Sequence, residues 1–442
     1  MMIEMCRMQV TYLLFYYCYL LIILQPHGSH AGRTSKKWRA EKWVREYQNM
    51  TGRLPPVNYK TWIDLAKKRK CITKPKHYKQ IYEDLGQLTI DDFKRFFSLS
   101  LSDLMIHSPI RILHSNEFGD EVKHPFGSTF AMANEVIEKS KPFTFVYQSY
   151  DEAMIMPDDF GNTSPYQHAS DFFDRNRCYN QTYGAMRYNH SLLTSPTSFI
   201  AIPQRIPMFS TSKLNCFLDI LIGTLNNGRF GTFDYHHVAW EHKDNRAIFR
   251  GTATGINYKE AQRIYLPLTA APRYKLYELS KQQESGELSS PVTLDFRIVR
   301  QNEGSELLQS QLNRDYPVAP WMDQLTQFYN KYLVIVDGNG WPDRLSSFLR
   351  SGSLVFLSTI QKEWVINQLI PWEHYVPVKP DLSDLVEKLD WAYHHDEQAK
   401  KIAMNALAFA KNNLRLADLQ CYNALLMAEY QRAYYEAKEA LK

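Results

Sequence analysis

The chain has 442 residues, beyond the size that one hydrophobic core usually serves, so two packed domains are expected. Apolar residues at 44% and aromatics at 14% exclude a disordered or fibrous protein. The formal net charge of +5 is small for this length, and no Lys/Arg block is interleaved with aromatics, which argues against a nucleic-acid surface.

The first informative segment, Val10 to Leu24, is an almost uninterrupted apolar run behind Arg7. It is short for a span of the ~30 Å hydrocarbon core, and fits either a signal-peptide core or a short membrane anchor. Both readings deliver the rest of the chain to the lumen. Ser29 and Ala31 supply small residues for cleavage, whereas Arg33, Lys36, Lys37 and Arg39 weigh against translocating that flank and tip the reading to a type II anchor. Asn-x-Ser/Thr sequons at Asn49, Asn162, Asn180 and Asn189 fit the same compartment. Outside the apolar run, Cys71, Cys178, Cys216 and Cys421 form an even set suited to disulfides in an oxidising lumen, with three pairings open. There is no CxxC and no Cys/His cluster, so no metal site is expected.

From Gly32 to about Pro75 the chain is basic and reads as a stem or wrapping segment. Between Ile81 and Tyr235 the pattern is irregular. It contains a helical stretch, Ser128 to Ser140, and a strand-like run, Phe143 to Tyr147, that leads to Asp151-Glu152. The C-terminal half is clearer. Ala247-Ile248-Phe249 is a short buried strand running into a loop of small residues, Arg250 to Gly255. Tyr332 to Val336 is a continuous apolar strand opening into Asp337-Gly338-Asn339-Gly340, after which Pro342 suits the first turn of a helix that Gly352 ends. Ser353 to Leu357 and Tyr375 to Val378 are further strands, and helices follow from Asp381 to Trp391 and from Asp396. Strands alternating with helices imply a parallel, doubly wound sheet, on which ligands bind beyond the carboxyl ends of the strands.

Both polar loops lie at that edge. A diphosphate needs backbone N–H donors at close approach, which glycine permits, and a planar cation, which arginine supplies. Arg250 and Arg344 fit that role. Helix capping or pairing with a nearby carboxylate is the alternative for each. The chain contains no Asp-x-Asp triplet.

Several motifs in order then carry a resemblance: Trp240 and Lys243 ahead of Phe249 to Gly255, the run from Lys331 to Leu345, Ser351 to Phe356, Glu363-Trp364, Pro371 to Leu385, and Leu419 to Tyr422. Together they resemble glycosyltransferase family 90, which holds protein O-glucosyltransferases and fungal capsule-associated xylosyltransferases. Upstream, Ile206 to Ser210 with Lys213 and Asp219 matches loosely, and Tyr150 to Ala153 looks like the family's carboxylate motif. The resemblance implies an α/β, GT-B-like fold, two Rossmann-like doubly wound domains facing a cleft. It implies an inverting reaction that needs no cofactor or metal and takes a UDP-sugar as donor.

On that resemblance, Arg250, Gly251, Thr252, Gly338, Asn339, Gly340, Trp341, Asp343 and Arg344 bind the UDP-sugar, with Glu363 lining the nucleoside pocket. Asp151 is the general base; without the resemblance it reads equally as a surface carboxylate or cap. Ala153 follows Glu152 where relatives often carry proline, and Asp343 sets a carboxylate near the diphosphate. The family cysteine implies a Cys71–Cys421 disulfide, leaving Cys178 to Cys216. His374 and Tyr375 are expected to support packing. The implied organisation is an anchor or signal peptide over 1–25, a stem over 26–80, an acceptor-side domain over 81–235, a donor domain over 236–415, and a terminal helix over 416–442 that packs back on the acceptor side. The expected function is transfer of glucose or xylose to a glycan, polysaccharide or protein serine hydroxyl; a catalytically silent lumenal UDP- or glycan-binding protein is the alternative. Glu439 to Lys442 is not a KDEL-type signal, which favours the Golgi over the endoplasmic reticulum.

Overall fold

A computed structural model describes residues 41–99, 110–118, 127–148, 205–214, 217–224, 238–255, 267–301 and 306–442. The run Val10 to Leu24, Asp151, Cys178, Cys216 and the sequons at Asn162, Asn180 and Asn189 lie outside those residues. Among the described residues no helix is long and apolar enough to cross a membrane. The chain divides into two compact units, Met1–Leu54 and Pro55–Lys442. The first contains α1 (Lys42–Thr51), which buries Val44 and Tyr47 on one face and ends at Gly52, whose φ of 73° is the left-handed conformation that glycine adopts without a Cβ clash. Asn49 is exposed on this helix.

The second unit begins with α2 (Tyr59–Lys68), α3 (Lys79–Gly86) and α4 (Ile90–Ser98). A reciprocal Thr89–Asp92 capping box starts α4 by satisfying two of its orphan N–H groups. A four-stranded sheet follows, made of β1 (Ile110–His114), β2 (Thr144–Gln148), β3 (Met208–Ser210) and β4 (Ile220–Leu221). β1 is antiparallel to β2, and the rest are parallel. The helix expected from Ser128 to Ser140 is shorter: α5 (Ala131–Val136) follows a 3-10 turn over Gly127–Phe130.

The second sheet is wholly parallel and runs in the order β6-β5-β7-β8-β9, with β5 (Asp244–Ala253), β6 (Thr293–Gln301), β7 (Asn330–Val336), β8 (Leu354–Ser358) and β9 (Val376–Pro377). All seven residues of β7 and all five of β8 are buried, as expected of strands covered on both faces. One face packs Ala247, Phe249, Phe296, Tyr332, Val334 and Phe356 against α6 (Pro272–Ser285) and against the helices Leu385–His394 and Asp396–Asn413. The remaining helices are α7 (Glu306–Asp315), α8 (Gln324–Gln327), α9 (Leu345–Phe348), α10 (Leu385–His394), α11 (Asp396–Asn413) and α12 (Leu416–Ala440).

Two features correct the sequence reading. Arg250 to Ala253 is not loop: β5 continues through it, pairing with β6 across an irregularity between Gly251 and Thr252. The strand β6 itself is not apparent in the sequence, because at the sheet edge it alternates buried Leu294, Phe296 and Ile298 with half-buried Asp295 and Arg297 and so lacks a continuous apolar run.

The last helix, α12, is fastened to the first sheet and its helices. Cys421 forms a disulfide with Cys71, their Cα atoms 6.7 Å apart. The Trp62 indole N–H donates to the Cys421 carbonyl at 2.8 Å, and the Tyr422 hydroxyl donates to Leu221 O at 3.0 Å. Asn423 exchanges two hydrogen bonds with the Gly223 backbone, at 3.0 and 2.8 Å. A Cβ at residue 223 would lie 2.2 Å from a Leu419 methyl, so only glycine lets the helix approach this closely.

Phe356 is fully buried at the centre of the second sheet. Phe356→Ala is expected to lower the unfolding free energy by about 3–5 kcal/mol, read from urea denaturation; a loss below about 1 kcal/mol would contradict this packing.

Candidate functional site

The chain passes from β5 to its neighbour β6 and then crosses back to β7 on the other side of β5. Connections leaving β5 and β7 therefore diverge to opposite faces, and a crevice opens between the carboxyl ends of these two strands. The segments at its rim are Thr252 to Gly255 and Asp337 to Arg344. They contact each other: Gly255 N–H donates to the Asn339 side chain at 3.2 Å, and a Cβ on Gly255, whose φ is 100°, would lie 3.2 Å from Gly338 O.

Phe249 supplies the floor. Its ring turns along the strand onto Gly251, where a Cβ would sit 2.6 Å from the ring tip, so the sequence needs glycine there. Two guanidinium groups approach the same ring: the central carbon of Arg344 is 5.8 Å from its centroid and that of Arg273 is 5.9 Å away. Arg344 also donates to the Arg250 carbonyl and lies 5.8 Å from the Phe348 ring. Gly338, Gly340, Thr252, Trp341 and Asp343 all belong to these rim segments, Gly338 and Gly340 being buried and the other three half-buried.

The Arg250 side chain points elsewhere. Its guanidinium donates to the Phe249 and Asp295 carbonyls at 2.9 and 2.8 Å and forms an ion pair with the Asp295 carboxylate at 2.7 Å. Asp295 is in register with Ile248, so this guanidinium leans back along the sheet, away from the carboxyl edge. What Arg250 presents to Arg344 is its backbone carbonyl.

Two residues at the rim escaped the sequence reading. Asp337 ends β7 buried, accepting hydrogen bonds from the Thr359 hydroxyl at 2.6 Å and Ile360 N–H at 2.8 Å, which ties the end of β7 to the segment after β8. Burial pushes its carboxyl up to about 7, against those two hydrogen bonds and the field of Arg273. Its position at the mouth of an apolar strand was a visible signal. Arg273, in the first turn of α6 behind Pro272, gave none beyond the helix start itself.

Glu363 is buried. Its carboxylate accepts from Val365 and Ile366 N–H at 2.7 and 3.0 Å and so caps its own turn; burial pushes it up to about 7. His374 has the packing role expected of it, its Nδ1 accepting from Ile370 N–H at 3.0 Å beside the Phe409 ring.

The loosely matching residues of the first sheet gather around β3 and β4. Lys213, buried, donates to the Asp84 carboxylate at 2.5 Å and the Asp219 carbonyl at 2.6 Å, while Ser210 donates to the Asp219 carboxylate. The second Asp84 oxygen accepts from Leu221 N–H at 2.9 Å, so both carboxylate oxygens of the buried ion pair are hydrogen-bonded. Backbone bonds of 3.0 and 2.7 Å between Lys213 and Lys362 join the turn after β3 to the segment after β8. Asp151 lies outside the described residues, beyond the last residue of β2, Gln148.

For Asp337 and Glu363, a folded-state pKa raised from about 4 to about 7 means that the folded chain holds more protons than the unfolded chain in that interval. Stability contributed by these groups is thus greatest at low pH and falls as pH rises through 7. In Glu363→Gln the decline of the urea midpoint between pH 5 and pH 7.5 is expected to be shallower than in wild type; parallel curves would count against the assignment.

The family model described as Glycosyl transferase family 90 matches residues 233–438. The chain is 43% identical over 104 residues to Protein O-glucosyltransferase 2 of Danio rerio, covering 23% of this chain and 21% of that protein. It is 30% identical over 196 residues to Protein O-glucosyltransferase 1 of Rattus norvegicus, covering 44% and 43%. To Protein O-glucosyltransferase 3 of Homo sapiens it is 32% identical over 193 residues, covering 43% and 33%. The chain thus spans less than half the length of each of these relatives. The matched segment contains the whole second sheet, its switch-point rim and most of α12. Over residues 233–438, the chain is thus similar to glycosyl transferase family 90.

Proposed function

We propose that this protein is an inverting, metal-independent glycosyltransferase of GT-B-like architecture, its two Rossmann-like domains facing a cleft. It transfers glucose or xylose from a UDP-sugar to a hydroxyl of a protein serine or a glycan. The observation that carries this reading is the switch-point crevice of a family-90 segment, lined by glycine backbone, floored by Phe249 and carrying Arg344 at its mouth. Its relatives' names favour glucose and a protein acceptor. The sequons, the Cys71–Cys421 disulfide and the apolar run from Val10 support a Golgi or reticulum lumen, entered by way of an anchor or a signal peptide.

In this reading the region 236–415 takes the donor, with the diphosphate over Gly338 to Gly340 and Thr252 and with Arg344 as its cation. Arg250 positions Arg344 through its carbonyl. Asp151, from the acceptor side at 81–235, removes the acceptor hydroxyl proton as that oxygen forms a bond to the anomeric carbon. The bond from that carbon to UDP breaks on the opposite face, its electron pair leaves with the diphosphate, and an α-linked donor gives a β-linked product. Arg344 stabilises the charge that gathers on the leaving group in a site it already occupies, so little reorganisation is needed.

The test is turnover and donor hydrolysis with UDP-glucose and UDP-xylose in EDTA. Asp151→Asn is expected to lower kcat by about 10²–10⁴ while leaving UDP affinity unchanged. Arg344→Gln should weaken UDP binding by about 10–100-fold. UDP binding without turnover of either donor would favour a silent binding protein, and activity that EDTA abolishes would overturn the metal-free mechanism.

A further inference from the structure

Arg273 is the second guanidinium at the crevice, and no motif gives it a role. From the first turn of α6 it bonds to both rim segments, its Nη1 donating to the Thr252 carbonyl at 2.7 Å and its Nε to the Asp337 carbonyl at 3.2 Å. Its remaining nitrogen, Nη2, lies over Gly338, where a Cβ would be only 2.4 Å away. Glycine at 338 therefore makes room for the guanidinium as well as for a ligand. Arg273 and Arg344 stand 5.9 and 5.8 Å from the centroid of one ring, Phe249. Two like charges converging on one aromatic ring beside a glycine-lined rim form the arrangement that a multiply charged anion stabilises. Arg250 directs its charge to Asp295.

We propose that Arg273 is the second cation of the donor's diphosphate site, acting with Arg344 beside the Phe249 ring in the place that sequence spacing gives to Arg250. This rests on the donor-site reading above. By spanning the Thr252 and Asp337 carbonyls, Arg273 also fixes the width of the crevice, so its charge is presented at a set distance from Arg344. The class of ligand it selects is a nucleoside diphosphate over the corresponding nucleoside.

The experiment is a ligand-detected NMR titration of the full chain with UDP, UMP and uridine, for wild type, Arg273→Gln, Arg273→Lys and Arg344→Gln. Arg273→Gln is expected to weaken UDP binding about tenfold or more, UMP binding less, and uridine binding by under about twofold, with Arg273→Lys recovering part of the UDP affinity. A residue that merely tethers the two rim segments would weaken all three ligands by the same factor, and that result overturns the proposal. So does unchanged UDP affinity in Arg273→Gln while Arg344→Gln loses it, an outcome that leaves the donor-site reading standing. Wild type that binds no UDP removes both. Should thermal unfolding show Arg273→Gln to be misfolded, Arg273→Lys decides: a folded lysine variant must keep a preference for UDP over uridine, and one without it overturns the proposal.

Discussion

The structure of the site depends on one constraint, the parallel pairing of β5 with β6 on one side and β7 on the other. Right-handed crossovers from a central strand to neighbours on opposite sides carry the connecting chain to opposite faces. The carboxyl ends of β5 and β7 are thereby left uncovered while the strands themselves stay buried. The rim segments Thr252 to Gly255 and Asp337 to Arg344 sit on that gap. The glycines at 251, 255 and 338 each allow a close approach that a side chain would prevent, and Phe249 fills the floor between them.

The charges are organised around this floor in two layers. On the side away from the crevice, Arg250 is bound to Asp295, with Arg246 and Arg297 at 3.9 and 3.6 Å from the same carboxylate. At the rim, Arg344 and Arg273 are held by main-chain carbonyls, Arg250 O for the first and Thr252 O and Asp337 O for the second. The carboxylate of Asp295 neutralises Arg250 locally. The buried carboxylate of Asp337 braces the end of β7 through Thr359 and Ile360, so the rim is fixed before any ligand arrives.

Much of the second sheet was legible in the sequence because its central strands are continuous apolar runs. Tyr332 to Val336 and Ser353 to Leu357 coincide with β7 and β8 to within two residues. The edge strand β6 was not legible, since a strand covered on fewer sides alternates polar and apolar residues and its pattern merges with its surroundings. That omission also obscured the candidate site. Arg250 was read as a loop residue aimed at a ligand because nothing in the sequence revealed Asp295 on a neighbouring strand. Arg273 was overlooked because its position at the crevice arises from where α6 begins against β5 and β7, a long-range fact that spacing does not carry. Arg344 was legible, being adjacent in sequence to the glycine-rich turn it serves.

Amide hydrogen exchange of the full chain with and without UDP addresses the central claim most directly. Bound UDP is expected to slow exchange in 250–255 and 337–345 together, the two sides of the switch-point crevice, with β9 and α10 unaffected. Protection confined to one of those segments, or located away from both, would contradict a diphosphate held between β5 and β7.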